Sequence, residues 1–137
     1  MPITFSVNYD DGYLTCTYIG KIRDEELYGS WEKFYGGELW KPGLMELADN
    51  RNADFSEISS DGIRRLAKLC KSVFEKNHIN SVQTAMCCDN PLGYGLSRMY
   101  ESFTFDSPEN SRVFKNMDEA KTWLKSQLKE QEKKIGI

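Results

Sequence analysis

The stretch from Gly43 to Leu66, GLMELADNRNADFSEISSDGIRRL, constrains the fold more than any other part of the chain. Leu44, Met45, Leu47 and Ala48 form a short apolar run broken only by Glu46, the pattern of a strand buried on both faces of a parallel sheet. Polarity rises abruptly at Asp49-Asn50-Arg51-Asn52, which predicts the end of the strand there. Beyond this polar segment, Ile63, Leu66, Ala67, Cys70, Val73 and Phe74 recur at three- and four-residue spacing, so residues 60–76 read as a helix with one buried face. Ser59, Ser60 and Asp61 stand where that helix begins, and each type can accept hydrogen bonds from its unpaired first N–H groups. A loop between a parallel strand and a helix N-terminus is a common place for a binding site in an α/β sheet.

The flanking segments continue the alternation. Ile3, Phe5, Val7 and Tyr9 alternate with polar residues; Asp11-Gly12 marks a turn and Tyr13–Ile19 reads as the hairpin partner. Asp24 is placed to cap a helix with Leu27, Trp31, Phe34 and Tyr35 inward, ended by Gly36-Gly37. Val82 to Cys88 is a short apolar strand. Asn90-Pro91 starts a third helix, with Leu92, Leu96, Met99 and Phe103 as its buried stripe and Gly93 and Gly95 either loosening its first turn or allowing close packing. Ser111–Lys115 reads as a last strand. Asp118 is the expected cap of a final helix with Ala120, Trp123, Leu124 and Leu128 inward, and residues 129–137 are expected to fray. The result is one domain over 1–137: an α/β fold, its mixed sheet of about five strands built from a parallel core and an N-terminal hairpin, under about four helices.

Composition bounds the chemistry. A chain of 137 residues with three Trp, seven Tyr and seven Phe can bury a core without disulfides or metal. A net charge of −3 gives no push toward nucleic acid. The first residues lack a signal-peptide pattern and no segment is apolar enough to span a membrane, which predicts a cytoplasmic protein. Cys16, Cys70, Cys87 and Cys88 form no C-x-x-C pair and read as buried thiols. His78, the single histidine, lies at a helix end and leaves the Ser and Cys residues without a matched base. No metal site is expected, since the ligands are too few. No cofactor is expected either: Gly93-Tyr94-Gly95 is followed by Arg98 where a dinucleotide loop wants its third glycine, and Pro91 removes a donor. The basic stripe Arg64, Arg65, Lys68, Lys71 and Lys76 reads as a solvated helix face.

Three strings, LMELADNRNADFSEISSDGIRRLA, NPLGYGLSRMYE and RVFKNMDEAKTWL, follow one another along nearly the whole chain. In order and content they resemble the SpoIIAA-like branch of the STAS superfamily, the domain of anti-sigma factor antagonists and of sulfate-transporter tails. The resemblance implies that fold and a non-enzymatic interaction module, contacting a protein partner through the loop and helix start at 49–62, the second helix and the third. Asp49, Arg51, Ser59, Ser60, Asp61, Tyr94 and Arg98 are the binding candidates. The antagonists carry a D-S-S-G motif whose first serine is phosphorylated. Aligned on glycine, Ser60 takes that place, but Ser59 replaces the aspartate and Asp61 the second serine, so a simple helix-cap role is the default. The alternative is a carrier of a small apolar ligand or lipid, in contact with a membrane surface, with the third helix (91–105) as a lid and Trp31, Phe34, Leu92, Leu96, Tyr100 and Phe103 as its lining, Tyr94 nearby. An enzyme ranks last for want of a catalytic constellation. Exposed aromatic surface also makes a homodimer compatible with the sequence.

Overall fold

The computed structural model describes residues 2–134, with side chains described through residue 131. The elements are β1 (Ile3–Asn8), β2 (Tyr13–Lys21), α1 (Asp24–Tyr35), β3 (Met45–Asp54), α2 (Ser60–Lys76), β4 (Val82–Cys87), α3 (Pro91–Phe103), β5 (Glu109–Phe114) and α4 (Met117–Lys134). They form a five-stranded sheet in the order β1-β2-β3-β4-β5. The hairpin β1–β2 is antiparallel, while β2 to β5 run parallel.

From β2 to β5 each strand is laid down beside the one before it, always in the same direction across the sheet. Crossovers of one hand therefore put α1, α2 and α3 on a single face. The last helix, α4, covers the opposite face, where Met45, Leu47 and Ala85 of the central strands pack on Ala120 and Leu124. Because side chains alternate along a strand, the neighbours Glu46, Ala48 and Asn50 of β3 and Thr84 and Met86 of β4 point the other way, toward α1–α3. That face carries the larger core, including Leu14, Cys16, Tyr18, Leu27, Trp31, Leu66 and Phe74.

Four local expectations are corrected. The polar run after Ala48 does not end β3: the strand continues to Asp54, pairing with Ile19–Lys21 of β2 beyond a bulge, while its pairing with β4 stops at Asp49↔Cys87. Asn50 thus belongs to a strand, and the connector to α2 shrinks to residues 55–59. Arg23 is the residue before α1, its backbone N–H donating to Glu26 Oε1 at 3.1 Å, and Asp24 is released for another task. In α4, Asn116 performs the capping expected of Asp118, accepting from the Glu119 N–H at 3.2 Å. The buried face of α3 is centred on Gly93, Ser97 and Tyr100, and Leu92 is 51% exposed. The cause is Gly93: a β-carbon there would collide with Cys88 Sγ, so the helix docks by its smallest residue; Leu96, Met99 and Phe103 of the expected stripe still pack, half-buried, against the core, and Leu92 alone is turned out. Gly95, by contrast, faces open space. The helix α4 runs to Lys134, and residues 135–137 of the expected tail lie outside the described residues.

Candidate functional site

Between the sheet and α1–α3 lies a cavity of about 60 Å³, room for on the order of four to six water-sized atoms. Its walls are mostly apolar: Leu27 and Trp31 from α1, Ile63 and Leu66 from α2, Leu96 from α3, and Ala48 and Met86 from the sheet. Into this wall project two carboxyl groups, Glu46 from β3 and Glu109 from β5, only 3% and 4% exposed.

The register explains how they meet. Glu46 lies opposite Thr84 of β4, and Val82, two residues back on the same face, lies opposite Glu109 of β5. Thr84 Oγ1 donates to Glu109 Oε2 at 2.6 Å and the Tyr100 hydroxyl to Oε1 at 2.7 Å. Glu46 Oε2 accepts from the Tyr35 hydroxyl at 2.7 Å, its only side-chain partner among the described residues. Burial holds the carboxyl of Glu46 well above the ordinary carboxylate range, and the neighbouring Glu109 charge pushes it the same way. Burial also raises Glu109, against the lowering effect of the Thr84 and Tyr100 hydrogen bonds. The pair therefore retains protons where free carboxylates have lost theirs. No Lys, Arg or His lines the cavity among the described residues.

A third polar group is incomplete. Asn50, 6% exposed, lines the cavity, and its Nδ2 reaches Ser97 Oγ at 3.4 Å. Its Oδ1 is buried without a hydrogen-bond donor among the described residues. A buried acceptor left unpaired costs about 1–3 kcal/mol, so its presence on a residue of the cavity wall is a reason to look for the group that completes it.

The residues singled out in the sequence fall into separate places. Trp31, Leu96 and Tyr100 line the cavity. Phe34 does not; it stacks on Phe5 with ring centroids 4.2 Å apart. Phe103 lies under the Arg64 guanidinium, 5.2 Å from its ring centre, and Leu92 faces outward. Asp49 and Arg51 satisfy each other through two hydrogen bonds of 2.9 Å, which holds the Asp49 carboxyl below its ordinary range. Ser60 is the first residue of α2, so Ser59, and not Ser60 as expected, is the cap, accepting from the Gly62 N–H at 3.0 Å. It is itself clamped by Asp24, whose carboxylate accepts from Ser59 N at 3.0 Å and Oγ at 2.6 Å. Ser60 and Asp61 are exposed beside this clamp, with Asp61 3.4 Å from Arg64. Tyr94 sits beneath Lys115, whose Nζ is 5.0 Å from the ring centre, and Arg98 is 3.9 Å from Glu101; neither lines the cavity.

Glu46, Asn50, Thr84, Ser97 and Glu109 carry the site and were not among the sequence candidates. One signal was present: Glu46 interrupts an apolar run on a strand buried on both faces, where an ionised side chain is not tolerated without a partner.

This arrangement places the molecule among α/β proteins with a hairpin-led mixed sheet and an asymmetric helix layer, a SpoIIAA-like fold. A solved structure of this shape is that of an uncharacterized protein from the DUF3478 family with a SpoIIAA-like fold, from Shewanella loihica PV-4. It superimposes with a TM-score of 0.55 at 19% sequence identity, covering 89% of this chain and 91% of that one. At this identity the likeness is one of fold. No family model matches the chain, and no curated protein matches it. Among the described residues no helix is long and apolar enough to cross a membrane, and no cluster of His, Cys, Asp or Glu is placed to hold a metal ion.

Proposed function

We propose that the chain is a non-enzymatic SpoIIAA-like binding module whose ligand is a small amphipathic molecule seated between the sheet and α1–α3. The observation that carries this is an apolar cavity that holds two buried carboxyls and is lined by Asn50, a residue with an unpartnered buried oxygen. Apolar walls with a few convergent polar groups are the usual make-up of small-molecule sites. The third helix contributes Leu96, Ser97 and Tyr100 to the wall.

The surface at 49–62 has a weaker claim as the place of a protein partner. Asp49 and Arg51 are already engaged with each other, and the Asp24 carboxylate occupies the N-terminal end of α2 where a phosphate on Ser60 would gain most. Asp24 and Asp61 would both repel that phosphate.

Native mass spectrometry of the purified protein, compared with the same sample denatured, tests the cavity. The expected result is a small species lost on denaturation and lost also in Ala48→Leu, whose added carbons project into the cavity. The same adduct on a folded Ala48→Leu protein would place the ligand elsewhere.

A further inference from the structure

The two outer strands of the sheet differ in how their free edges are finished. Along β5 the outward N–H groups are taken: Val113 N–H donates to Glu101 Oε2 at 3.2 Å and Glu109 N–H to Ser107 Oγ at 3.1 Å. Along β1 they are open. Ile19 N–H donates to the Pro2 carbonyl at 2.8 Å, which with the register Thr4↔Thr17 and Ser6↔Thr15 turns the backbone of the even residues toward β2. The N–H and C=O groups of Ile3, Phe5 and Val7 therefore point away from the sheet, and among the described residues none of them is hydrogen-bonded. The strand, ITFSVN, carries no charge, no proline and no bulge, the usual guards of an edge.

We propose that this edge is a homodimer surface, on which β1 of a second copy pairs antiparallel and joins the two five-stranded sheets into one. What selects a second copy is that the strand is complementary to itself. Only the odd residues offer outward backbone groups, and about a two-fold axis at Phe5 they fall opposite one another: Phe5 against its own counterpart and Ile3 against Val7, for about six backbone hydrogen bonds. The same register sets Thr4 opposite Ser6 on the other face. Apolar side chains then meet apolar ones on the α1 side, where Phe5 and Val7 are only half-buried, and hydroxyls meet hydroxyls on the reverse. No like charges face each other along the strand, although the whole chain carries −3. At the hairpin end the Tyr9 hydroxyl donates to the Leu39 carbonyl at 2.7 Å; these two side chains, 53% and 52% exposed, extend the apolar margin of the edge. The axis stands normal to the sheet, so both copies keep α1–α3 on one face.

Sedimentation velocity of the full chain over a concentration series tests the edge. The wild type is expected to sediment as a dimer, and hydrogen exchange at the Ile3, Phe5 and Val7 amides to slow as concentration rises, whereas the Thr4 and Ser6 amides are protected by β2 at every concentration. Thr4→Lys/Ser6→Lys, at two exposed positions, sets lysine opposite lysine twice across the join and is expected to weaken the dimer by about tenfold or more while the monomer stays folded. Thr4→Glu/Ser6→Glu should weaken it likewise, and mixing the two variants should restore a dimer with one copy of each. A wild type that stays monomeric at millimolar concentration overturns the proposal. A dimer undisturbed in both charged variants also overturns it, by placing the interface elsewhere. Should the charged variants unfold, exchange in the wild type decides: Ile3, Phe5 and Val7 amides no slower at high concentration overturn the pairing.

Discussion

Raising the pH from about 5.5 to 8 is expected to lower the unfolding free energy by about 1.4 kcal/mol per pH unit for each proton that Glu46 and Glu109 retain. The sign follows from where the protons are. An unfolded glutamate ionises in the ordinary range near pH 4.3, whereas burial keeps the folded pair protonated above it. Across the interval between the two, the native state binds more protons than the unfolded state. The stabilisation is therefore complete below about pH 4.3 and disappears as pH rises through the native values. Urea unfolding at half-unit pH steps measures the slope. The double variant Glu46→Gln/Glu109→Gln should lose most of it and be the more stable protein at pH 8, because it no longer has to hold two ionisable groups out of water. A wild type as flat as the double variant would mean that the carboxyls are solvated.

Trp31→Ala is expected to cost about 3–5 kcal/mol of unfolding free energy, enough to unfold many domains of this size. The indole is 4% exposed, stands edge-on to Phe5 with centroids 4.9 Å apart, and packs against Tyr35 at 5.3 Å. Its Nε1 donates to the Tyr18 hydroxyl at 2.6 Å, a bond between two buried groups. Removing the ring deletes packing and leaves the Tyr18 oxygen without its donor. Trp31→Phe separates the two contributions, keeping most of the packing and losing the donor, at an expected cost of about 1–3 kcal/mol. A loss below about 1 kcal/mol for Trp31→Ala, from chemical denaturation, would show that α1 is not seated as described.

The succession of nine elements was legible because each carries its own local signal: alternation in β1, the three-and-four spacing of α2, the Asn90-Pro91 start of α3. What escaped was set by tertiary neighbours. Asp24 resembles a cap in sequence, yet its carboxylate is drawn to Ser59 thirty-five residues away. In α3, counting apolar side chains put Leu92 on the inner face, when Gly93 docks against Cys88 by having no side chain at all. The polar half of β3 looked like a loop because strand patterns are recognised by hydrophobicity, and pairing with β2 needs only backbone.

The site was the least legible part, for a related reason. Trp31, Leu96 and Tyr100 were found because aromatic and aliphatic residues announce a core. Glu109 lies at the very start of its strand, and nothing local distinguishes it from a surface glutamate. Its role arises from Thr84 of the neighbouring strand and Tyr100 of the helix that joins the two, brought to it by the β4–α3–β5 crossover. Buried carboxyls are invisible to periodicity because they occupy positions where the pattern expects an apolar residue.

Intermolecular NOEs between butan-1-ol, a small amphipathic probe, and methyl-labelled protein test the central claim that the cavity between the sheet and α1–α3 is a ligand site. The expected result is contact with the methyl groups of Met86 and Leu96, lost in Ala48→Leu. Contacts confined to the outward-facing Leu39 and Leu92, with those inner methyls silent at saturating probe, would contradict it.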